Sequence, residues 1–480
     1  MKGTWATSAS LDLHLELSGT RPRAALEAAL RDAVRSGRLA AGTPLPSSRA
    51  LAGDVGLARN TVADAYAQLV AEGWLDARHG SGTWVAERAA RVPRARPPGG
   101  RVVPAPVRHD LRPGLPDVSA FPRAAWLAAA RRALTVAPAR DLVGYASPRG
   151  LLPLREALAE YLARARGVVV TPDRIVVCAG FAQGLELLCD LLRAAGNRTL
   201  AVEAYGHEAH RRIAAAAGMR LAAVPVDDHG ALLAGGAGLP ARTGAALLTP
   251  AHQYPLGVAL APDRRRDAVD WAASSGGLII EDDYDGEFRY DRQAVGALQA
   301  LAPEHVVYAG TASKSLVPGL RLGWLALPER LAGQVAEIKS DAGRFSSSLD
   351  QLALADFITS GGYDRQVRRA RIAYRQRRDR LVRALHRQVP GVTVTGISAG
   401  LHVLVRLPGG VSEADVIARA GARGLALHGL ADCRAGDQEL GPALIVGYAT
   451  PSGHAFSASV ARLCAVLSEV TGSHSSTSNT

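Results

Sequence analysis

The stretch Gly310-Thr-Ala-Ser-Lys-Ser-Leu-Val-Pro-Gly-Leu-Arg-Leu-Gly-Trp324 decides how the larger part of this chain is interpreted, because it places a lysine in an almost lysine-free sequence. Of 56 basic residues, only Lys2, Lys314 and Lys339 are lysines. Arginine stays protonated and is a poor amine nucleophile, whereas a partly buried lysine can lose its proton and form an imine. Lys314 is therefore predicted to be a catalytic-type lysine that captures an aldehyde cofactor.

Pyridoxal phosphate is the aldehyde cofactor whose other requirements this chain meets. Its pyridinium nitrogen needs a carboxylate, and Asp282, at the end of an apolar strand, is predicted to supply it. Tyr284 is predicted to meet the phenolic oxygen, and Tyr205 to stack on the ring. The phosphate needs cations, hydroxyls and backbone amides. The predicted phosphate ligands are Gly180, Phe181, Ala182, Thr311, Ser313 and Arg321.

Apolar segments of strand length alternate with helical segments after about residue 110. Continuous apolar strands separated by helices predict a parallel sheet that helices cover on both faces. The predicted strands are Ile175–Cys178, Thr199–Val202, Leu221–Val226, Ala245–Leu248, Gly277–Glu281, Val306–Tyr308 and Gly323–Ala326. From about Gly362, an α+β section with the strand Leu401–Leu407 and a closing helix is expected. The fold class of the main domain is therefore α/β with a mostly parallel sheet.

Residues 1–86 predict a separate small domain of three helices and a hairpin. The helices are expected near 22–36, 47–55 and 58–72, and two strands follow around a Gly-Ser-Gly turn. This order is typical of a winged helix-turn-helix, whose third helix enters the DNA major groove. A protein-interaction role for such a domain is the alternative. The predicted DNA-binding residues are Ser47, Ser48, Arg49, Arg59, Asn60, Thr61, Gly80 and Ser81.

Residues 87–109 are predicted to be a linker, because arginine, proline and glycine dominate without helical or strand periodicity. Between Glu87 and Arg112, seven arginines face two acidic residues, so much of the net charge of +12 is assigned to this tether. A basic tether suits a polyanionic partner, and a solubilising linker explains the charge equally well. Residues 472–480 are polar and small, which predicts a disordered tail after a domain spanning 110–471.

Composition limits the remaining choices. At 480 residues with 48% apolar and 21% charged side chains, the chain predicts two or more soluble globular domains. No apolar run reaches the ~18 residues that cross a bilayer, and the N-terminus has no signal-peptide pattern, so a cytoplasmic location is expected. The four cysteines are dispersed, and no metal site is predicted from them.

Several motifs in the first domain carry a family resemblance. They are Gly37-Arg-Leu-Ala-Ala-Gly-Thr-Pro-Leu-Pro-Ser-Ser-Arg-Ala-Leu-Ala52, Ala58-Arg-Asn-Thr-Val62, Glu72-Gly-Trp-Leu75 and Gly80-Ser-Gly-Thr83. Residues 12–86 closely resemble the GntR family of bacterial repressors and activators, which implies double-stranded promoter DNA as a partner. One departure is Ala58, where the family commonly has serine, and it costs at most one backbone contact.

The larger domain resembles fold-type I aminotransferases, which depend on pyridoxal phosphate. Besides the Lys314 stretch, the motifs are Gly144-Tyr145, Thr249-Pro-Ala-His-Gln-Tyr-Pro-Leu-Gly257 and Ser398-Ala-Gly-Leu-His402. The resemblance implies an obligate homodimer in which Tyr145 of one subunit reaches the phosphate of the other. It also implies that His252 or Gln253 lies near the phenolic oxygen, without deciding between them. A GntR-type domain joined to such a domain resembles the MocR subfamily of transcriptional regulators.

The resemblance leaves the effector open. Aminotransferases hold a substrate carboxylate with arginine, but the matching positions here are Ile445 and His207, and Arg434 and Arg406 are better explained as surface residues. Three functions are consistent with this pattern. The first is a regulator that senses an amine through a Lys314 Schiff base. The second is a regulator whose effector is pyridoxal phosphate itself. The third is a genuine aminotransferase with an accessory DNA-binding domain; the regulator is favoured, with transaminase activity left open.

Overall fold

The computed structural model describes residues 21–78, 82–87, 107–144, 147–233, 238–290 and 295–475. The chain divides into two compact units, residues 1–105 and 106–480. The boundary lies inside the segment 87–109 that the sequence predicts as a linker. His109, at the end of that segment, already pairs with Leu425 in a β ladder, so the second unit begins slightly earlier than predicted. Linker residues 88–106 lie outside the described ranges.

In the first unit, three helices precede a small antiparallel sheet, as predicted. The elements are α1 Pro22–Arg35, β1 Pro44–Leu45, α2 Ser48–Val55, α3 Arg59–Ala71, β2 Leu75–Arg78 and β3 Gly82–Val85. Ser47 begins α2, because its hydroxyl accepts a hydrogen bond from the Ala50 N–H at 3.2 Å. Gly56 ends α2 with a φ of 67°, a left-handed conformation that glycine adopts without strain. Strand β1, which pairs with β3, is too short for the sequence pattern to predict.

Two polar contacts connect the elements of the first unit. The Tyr66 hydroxyl donates a 3.0 Å hydrogen bond to the Pro46 carbonyl, which joins α3 to the turn before α2. Arg31 of α1 makes two 2.8 Å contacts to the carboxylate of Glu72, just after α3. The apolar core beneath them includes Leu26, Leu30, Leu51, Val62, Leu69, Leu75 and Val85. The unit is a winged helix-turn-helix.

The second unit contains the other described elements. The helices are α4 Arg123–Val136, α5 Ala139–Val143, α6 Leu152–Arg166, α7 Phe181–Ala194, α8 Glu208–Ala216, α9 Pro262–Ser275, α10 Glu329–Asp341, α11 Ser348–Thr359, α12 Gly362–Gln388, α13 Glu413–Ala422 and α14 Phe456–Ser475. The strands are β4 His109–Asp110, β5 Ile175–Cys178, β6 Thr199–Glu203, β7 Arg220–Val224, β8 Val226–Asp227, β9 Gly230–Ala231, β10 Thr243–Leu248, β11 Leu278–Asp282, β12 Val306–Thr311, β13 Gly323–Ala326, β14 Thr393–Thr395, β15 His402–Arg406, β16 Leu425–Ala426 and β17 Ala443–Gly447. Helix α14 continues four residues into the segment 472–480 that is predicted to be disordered, and 476–480 lie outside the described residues.

A seven-stranded sheet with the order β5-β13-β12-β11-β10-β6-β7 forms the centre of the second unit. Its strands are parallel, as predicted, except that β13 runs antiparallel to both neighbours. The connection from β12 to β13 is short and contains no α-helix. A parallel return needs a crossover of a dozen or more residues, so this short connection reverses the chain direction. The Lys314 stretch is that connection.

Helices cover both faces of the sheet, as period-two alternation requires. Val176 of β5 packs in a core with residues of α7 and α10. The next residue, Val177, faces the opposite side and packs with residues of α6 and α11. Beyond the sheet, α12, α13 and α14 pack on a small antiparallel sheet of β14, β15 and β17. No helix in the described ranges combines the length and apolar character needed to cross a membrane.

Candidate functional site

A cavity of about 330 Å³ lies where the parallel strands β6, β10, β11 and β12 end. The carboxyl ends of parallel strands are where α/β sheets bind ligands, and the start of α7 closes one side of this cavity. Many residues that the sequence predicts as cofactor ligands line it together: Gly180, Phe181, Ala182, Asp282, Tyr284, Thr311, Ser313, Lys314 and Arg321. The fold therefore gathers residues that lie as far as 141 positions apart in sequence, from Gly180 to Arg321.

Lys314 follows β12 in the connection to β13, and its side chain reaches the cavity. Its Nζ donates a hydrogen bond to the Gly114 carbonyl at 2.5 Å. Burial lowers the pKa of the Lys314 ammonium, and the carboxylates of Asp282 and Asp285 oppose that shift. A lowered pKa increases the fraction of unprotonated amine, which is the form that attacks an aldehyde.

Asp282 is the last residue of β11 and is only 5% exposed. Burial raises the pKa of its carboxyl well above the usual value, and the nearby positive charge of Lys314 acts in the opposite direction. The next residue, Asp283, forms a buried ion pair with Arg166, with a Nε–Oδ2 distance of 2.6 Å. The Tyr308 hydroxyl donates to the same Asp283 oxygen at 2.7 Å. These contacts fix the end of β11 and direct Asp282 into the cavity.

The opposite side of the cavity is suited to an anion. Helix α7 begins at Phe181, and Gly180 before it has a φ of 86° and provides no side-chain cap, so the first amides of the helix lack intrahelical partners. A Cβ atom at Gly180 would lie 3.4 Å from Nη1 of Arg321, so the glycine lets the guanidinium approach the start of the helix. The hydroxyls of Thr311 and Ser313 lie 2.9 Å apart. Amides, hydroxyls and a guanidinium in one place fit a phosphate group.

Neither candidate for the residue near the phenolic oxygen lines the cavity. His252 is buried behind Tyr284, whose hydroxyl donates to the His252 carbonyl at 3.1 Å. The Nδ1 atom of His252 lies 2.9 Å from Asp285 Oδ2. Gln253 donates to backbone carbonyls, among them that of Tyr254 at 2.7 Å. Tyr254 lines the cavity instead. The expectation that His252 or Gln253 lies beside a ligand in the cavity does not fit the structure, because the turn after β10 directs both side chains into the protein.

Tyr205 also lies away from the cavity. Its backbone pairs with that of Arg434 in an isolated β bridge, and its hydroxyl donates to the Gln438 carbonyl at 3.0 Å. This pairing turns the ring into an apolar cluster with Leu256. The ring that lines the cavity after β6 is His207, two residues later. Tyr205 is therefore not placed to stack on a ligand in the cavity, whereas His207, on the same turn, lines it.

Three histidines that the sequence does not single out as ligands line the cavity. The rings of His207 and His210 stack with centroids 4.7 Å apart, and His210 Nδ1 lies 3.7 Å from Asp282 Oδ2. Burial lowers the pKa of His207 to about 4, of His402 to about 3, and of His210 well below its usual value. The positive charge of Lys314 acts in the same direction on all three. Near pH 7 these rings are therefore neutral hydrogen-bonding groups.

In the first unit, the predicted DNA-binding residues that the structure describes lie at the starts of α2 and α3: Ser47, Ser48, Arg49, Arg59, Asn60 and Thr61. Arg59 and Asn60 are exposed at the N-terminus of α3, as base-reading side chains of a recognition helix must be. The Ser47 hydroxyl caps α2 by accepting a hydrogen bond from the Ala50 N–H. A contact from this hydroxyl to DNA would have to form while that hydrogen bond is kept. Gly80 and Ser81 lie outside the described residues.

Comparison with known families agrees with this geometry. Residues 22–85 match the family described as bacterial regulatory proteins of the gntR family. Residues 116–422 match the family of class I and II aminotransferases. Each match lies within one of the two compact units of the chain.

Curated relatives carry both parts. The chain is 36% identical over 379 residues to the HTH-type pyridoxine biosynthesis transcriptional regulator PdxR of Corynebacterium glutamicum, covering 78% of this chain and 81% of the relative. It is 33% identical over 411 residues to the probable rhizopine catabolism regulatory protein MocR of Rhizobium meliloti, covering 82% of each chain. The chain belongs to the MocR subfamily of GntR-type transcriptional regulators. As such a regulator it binds DNA through its first unit.

Solved structures define the fold of the second unit of this MocR-type regulator. The α-aminoadipate aminotransferase LysN of Thermus thermophilus superposes with a TM-score of 0.67 at 24% identity, over 76% of this chain and 92% of LysN. The fold is that of the fold-type I aminotransferases. The cofactor of the domain is pyridoxal phosphate. The cavity fits it, with an amine at Lys314, a buried carboxylate at Asp282 and an anion-binding corner at Arg321.

The MocR-type cavity lacks the arginine that would hold a substrate carboxylate in the predicted position. Ile445 is fully buried in the strand β17. Arg211 lines the cavity, but its Nη1 donates to the carbonyls of Gly206 and Cys433, at 2.7 Å each. Of the arginines in the described ranges, only Arg321 and Arg211 line the cavity, and Arg321 belongs to its phosphate-binding corner.

Proposed function

We propose that this regulator senses pyridoxal phosphate itself, through capture of the vitamer by Lys314, and that the captured state changes DNA binding by the first unit. The observation that carries the proposal is the combination of Lys314 and the anion-binding corner at Arg321 in one cavity. Neither group alone specifies the vitamer. An amine with a lowered pKa opposite a phosphate site matches the two ends of the vitamer.

The chain's own residues divide the binding work. Arg321, the hydroxyls of Thr311 and Ser313 and the first amides of α7 would bind the phosphate. Asp282 would hold the pyridine nitrogen, and the His207 ring would stack on the ring face. Bound pyridoxal phosphate supplies an aldehyde carbon that an unprotonated amine attacks, and a ring that withdraws electrons.

Two features favour the vitamer over an amino acid as the effector. The carboxylate of an amino acid effector would need a cation in the cavity. His207 is neutral near pH 7, because burial lowers its pKa to about 4, and therefore does not supply that charge. In addition, the relative PdxR is named as a regulator of pyridoxine biosynthesis. A regulator of that synthesis has a direct reason to measure its end product.

The contact between Lys314 and Gly114 suggests how capture reaches the rest of the chain. Lys314 Nζ donates to the Gly114 carbonyl. An aldehyde bound at Lys314 would engage this nitrogen, so Lys314 would no longer donate to the Gly114 carbonyl. Gly114 follows shortly after the segment 87–109 that leads from the DNA-binding unit. A ligand shifts a protein between two states only through such differential contacts.

The first prediction replaces the lysine. Lys314→Ala is expected to abolish the visible absorption band of the bound cofactor and to make DNA binding independent of added pyridoxal phosphate. Lys314→Arg is the matched control, because it keeps the positive charge and a donor for Gly114 but cannot capture an aldehyde. Absorption spectra and DNA mobility shifts, each with and without pyridoxal phosphate, measure both effects.

Three outcomes would contradict the proposal. If Lys314→Ala still responded to pyridoxal phosphate, capture would not be the signal. If DNA binding by the saturated wild-type protein responded to one member of a panel of amines, that amine would be the effector. If the protein instead turned over an amino donor and a keto acid steadily, it would be an aminotransferase with an accessory DNA-binding domain.

We also infer that the protein is a cytoplasmic homodimer. Helix α4 leaves apolar side chains exposed, with Leu127 67% and Val136 80% accessible, and Leu152 and Leu349 are about half exposed on neighbouring elements. Several large apolar side chains left uncovered on neighbouring elements are unusual for a monomeric soluble protein, and a second chain would cover them. The predicted contribution of Tyr145 to the partner's phosphate stays a prediction, because residues 145 and 146 lie outside the described ranges.

A further inference from the structure

Helix α12 carries a high density of positive charge. It contains ten arginines and two aspartates in 27 residues, a formal charge of +8 against +12 for the whole chain. The helix belongs entirely to the second unit, so this charge is separate from the DNA-binding domain.

Some of these arginines have structural roles. Arg377 Nη2 lies 2.6 Å from Asp117 Oδ2, and its Nη1 donates to the Pro451 carbonyl at 2.8 Å. Arg371 donates to the Glu287 carbonyl at 2.9 Å. Such contacts explain why these positions require a long, charged side chain.

A second set of arginines has no such role. Six of them are exposed and make no hydrogen bond or ion pair with any described residue: Arg365, Arg368, Arg369, Arg375, Arg383 and Arg387. At 100° per residue they fall within about 120° of the helix circumference. The opposite side is buried and includes Tyr363, Val367, Ala370, Tyr374, Leu381 and Leu385. We call the six exposed residues the arginine face.

The arginine face is unfavourable for a helix that contacts only water. Arg365 and Arg369, and again Arg383 and Arg387, are like charges at i and i+4, a spacing at which like charges repel. Exposed helices commonly relieve this with acidic residues at the same spacing. Asp379 lies on this side of the helix, four residues from both Arg375 and Arg383, but its ion pair is with Arg378, at 3.5 Å, and one carboxylate does not offset six guanidinium groups. A polyanion bound along the face would remove the repulsion.

We propose that the arginine face is a second DNA-contacting surface, on the cofactor-binding unit, that binds the phosphate backbone of duplex DNA. From Arg365 to Arg387 the helix rises about 33 Å, which is close to one turn of duplex DNA at about 34 Å. Planar guanidinium groups pair well with phosphate oxygens, and phosphate contacts do not depend on base sequence. DNA is the occupant that the chain already binds through its first unit.

The test compares two triple variants of the full-length protein saturated with pyridoxal phosphate. One is Arg368→Gln/Arg375→Gln/Arg383→Gln on the arginine face. The matched control removes three exposed arginines elsewhere on the second unit: Arg198→Gln/Arg242→Gln/Arg266→Gln. Fluorescence anisotropy with a duplex of about 40 base pairs and arbitrary sequence gives the binding constant between about 50 and 200 mM salt.

Loss of three phosphate contacts is expected to lower the slope of log K against log salt by about 2–3. The control variant is expected to keep the wild-type slope, and Arg368→Lys/Arg375→Lys/Arg383→Lys should restore most of the lost slope because charge is retained. Equal slopes for the two glutamine variants would overturn the proposal. So would an unchanged DNA slope combined with lost binding to phosphatidylserine vesicles, which would assign the face to a lipid surface.

Discussion

Lys339 shows that an arginine-rich chain also keeps a lysine for packing. It is 1% exposed, and its Nζ donates to the carbonyls of Pro148 at 2.8 Å and Val177 at 2.7 Å. Burial lowers the pKa of this ammonium. A compact ammonium fits between two carbonyls, where a planar guanidinium needs more space. Lys339 thus attaches the segment before Gly150 to β5.

The second prediction concerns this contact. Lys339→Met removes the donors and leaves two buried carbonyls without that partner, so the free energy of unfolding should fall by about 1–3 kcal/mol. Lys339→Arg should also destabilise, because extra volume in a packed interior costs about 1–3 kcal/mol. Urea unfolding followed by far-ultraviolet circular dichroism measures both. Unchanged midpoints would show that the two hydrogen bonds contribute little.

Among single residues, the sequence predicts the groups that the chemistry requires and misplaces those whose direction depends on turn geometry. Each of Lys314, Asp282 and Arg321 is predicted from a distinct chemical requirement of the cofactor, and the structure brings all three to one cavity. Tyr205 is displaced by His207, because a backbone bridge after β6 turns the tyrosine inward. Spacing alone does not encode which side chains in a turn face the ligand.

Among helices and strands, those with clear periodicity are predicted from the sequence. The direction of each strand in the sheet is predicted less completely. Residue pattern predicts α1 to α3 and the central strands, but β13 runs against its neighbours because its connection from β12 is short. The ten arginines of α12 can be counted in the sequence. The sequence pattern nevertheless assigns a polyanionic partner to the basic linker and not to this helix. Which arginines of α12 are exposed depends on which side the helix buries.

The third prediction tests how α1 and α3 are joined. Hydrogen bonds from Arg31 and Gln68 lower the pKa of Glu72 to about 2. A depressed carboxyl pKa stabilises the fold above the unfolded pKa of 4.5 and loses that effect as the pH falls towards 2. Glu72→Gln should therefore weaken the first unit at pH 7, by an amount that shrinks below pH 5. Amide hydrogen exchange in α1 and α3, corrected for intrinsic rates, reports this.

The control for that experiment is Asp32→Asn, which removes the exposed pair between Asp32 and Arg38. Exposed pairs contribute little, so this variant should exchange like the wild type. If Glu72→Gln accelerated exchange equally at pH 7 and near pH 3, the side chain would act through packing rather than through its charge.

For the molecule as a whole, the sequence predicts two domains joined by a linker at residues 87–109, and the boundary between the two compact units lies within that segment. Composition indicates this division because proline, glycine and arginine interrupt all apolar periodicity there. Assembly is harder to predict, since a helix that is apolar on one side packs equally well on its own core or on a second chain.

The fourth prediction addresses assembly. Leu127→Arg/Val136→Arg on α4 should convert a homodimer into a species near the monomer mass of 50.1 kDa, because charges would be buried at the interface. Leu301→Arg, at a residue that is 58% exposed away from α4, is the matched control and should leave the mass unchanged. Light scattering after size exclusion measures the mass. A dimer that survived both substitutions would exclude α4 from the interface.

The scarcity of lysine also makes the binding of pyridoxal phosphate to this protein easier to measure. Vitamer aldehydes condense with accessible primary amines on most proteins, and such adducts absorb near the specific band. Here guanidinium groups, which do not condense in this way, replace nearly all of those amines, and Lys339 is enclosed. A spectrophotometric titration should therefore reach its end point at one equivalent per chain with little background, and so count the protein's binding sites directly.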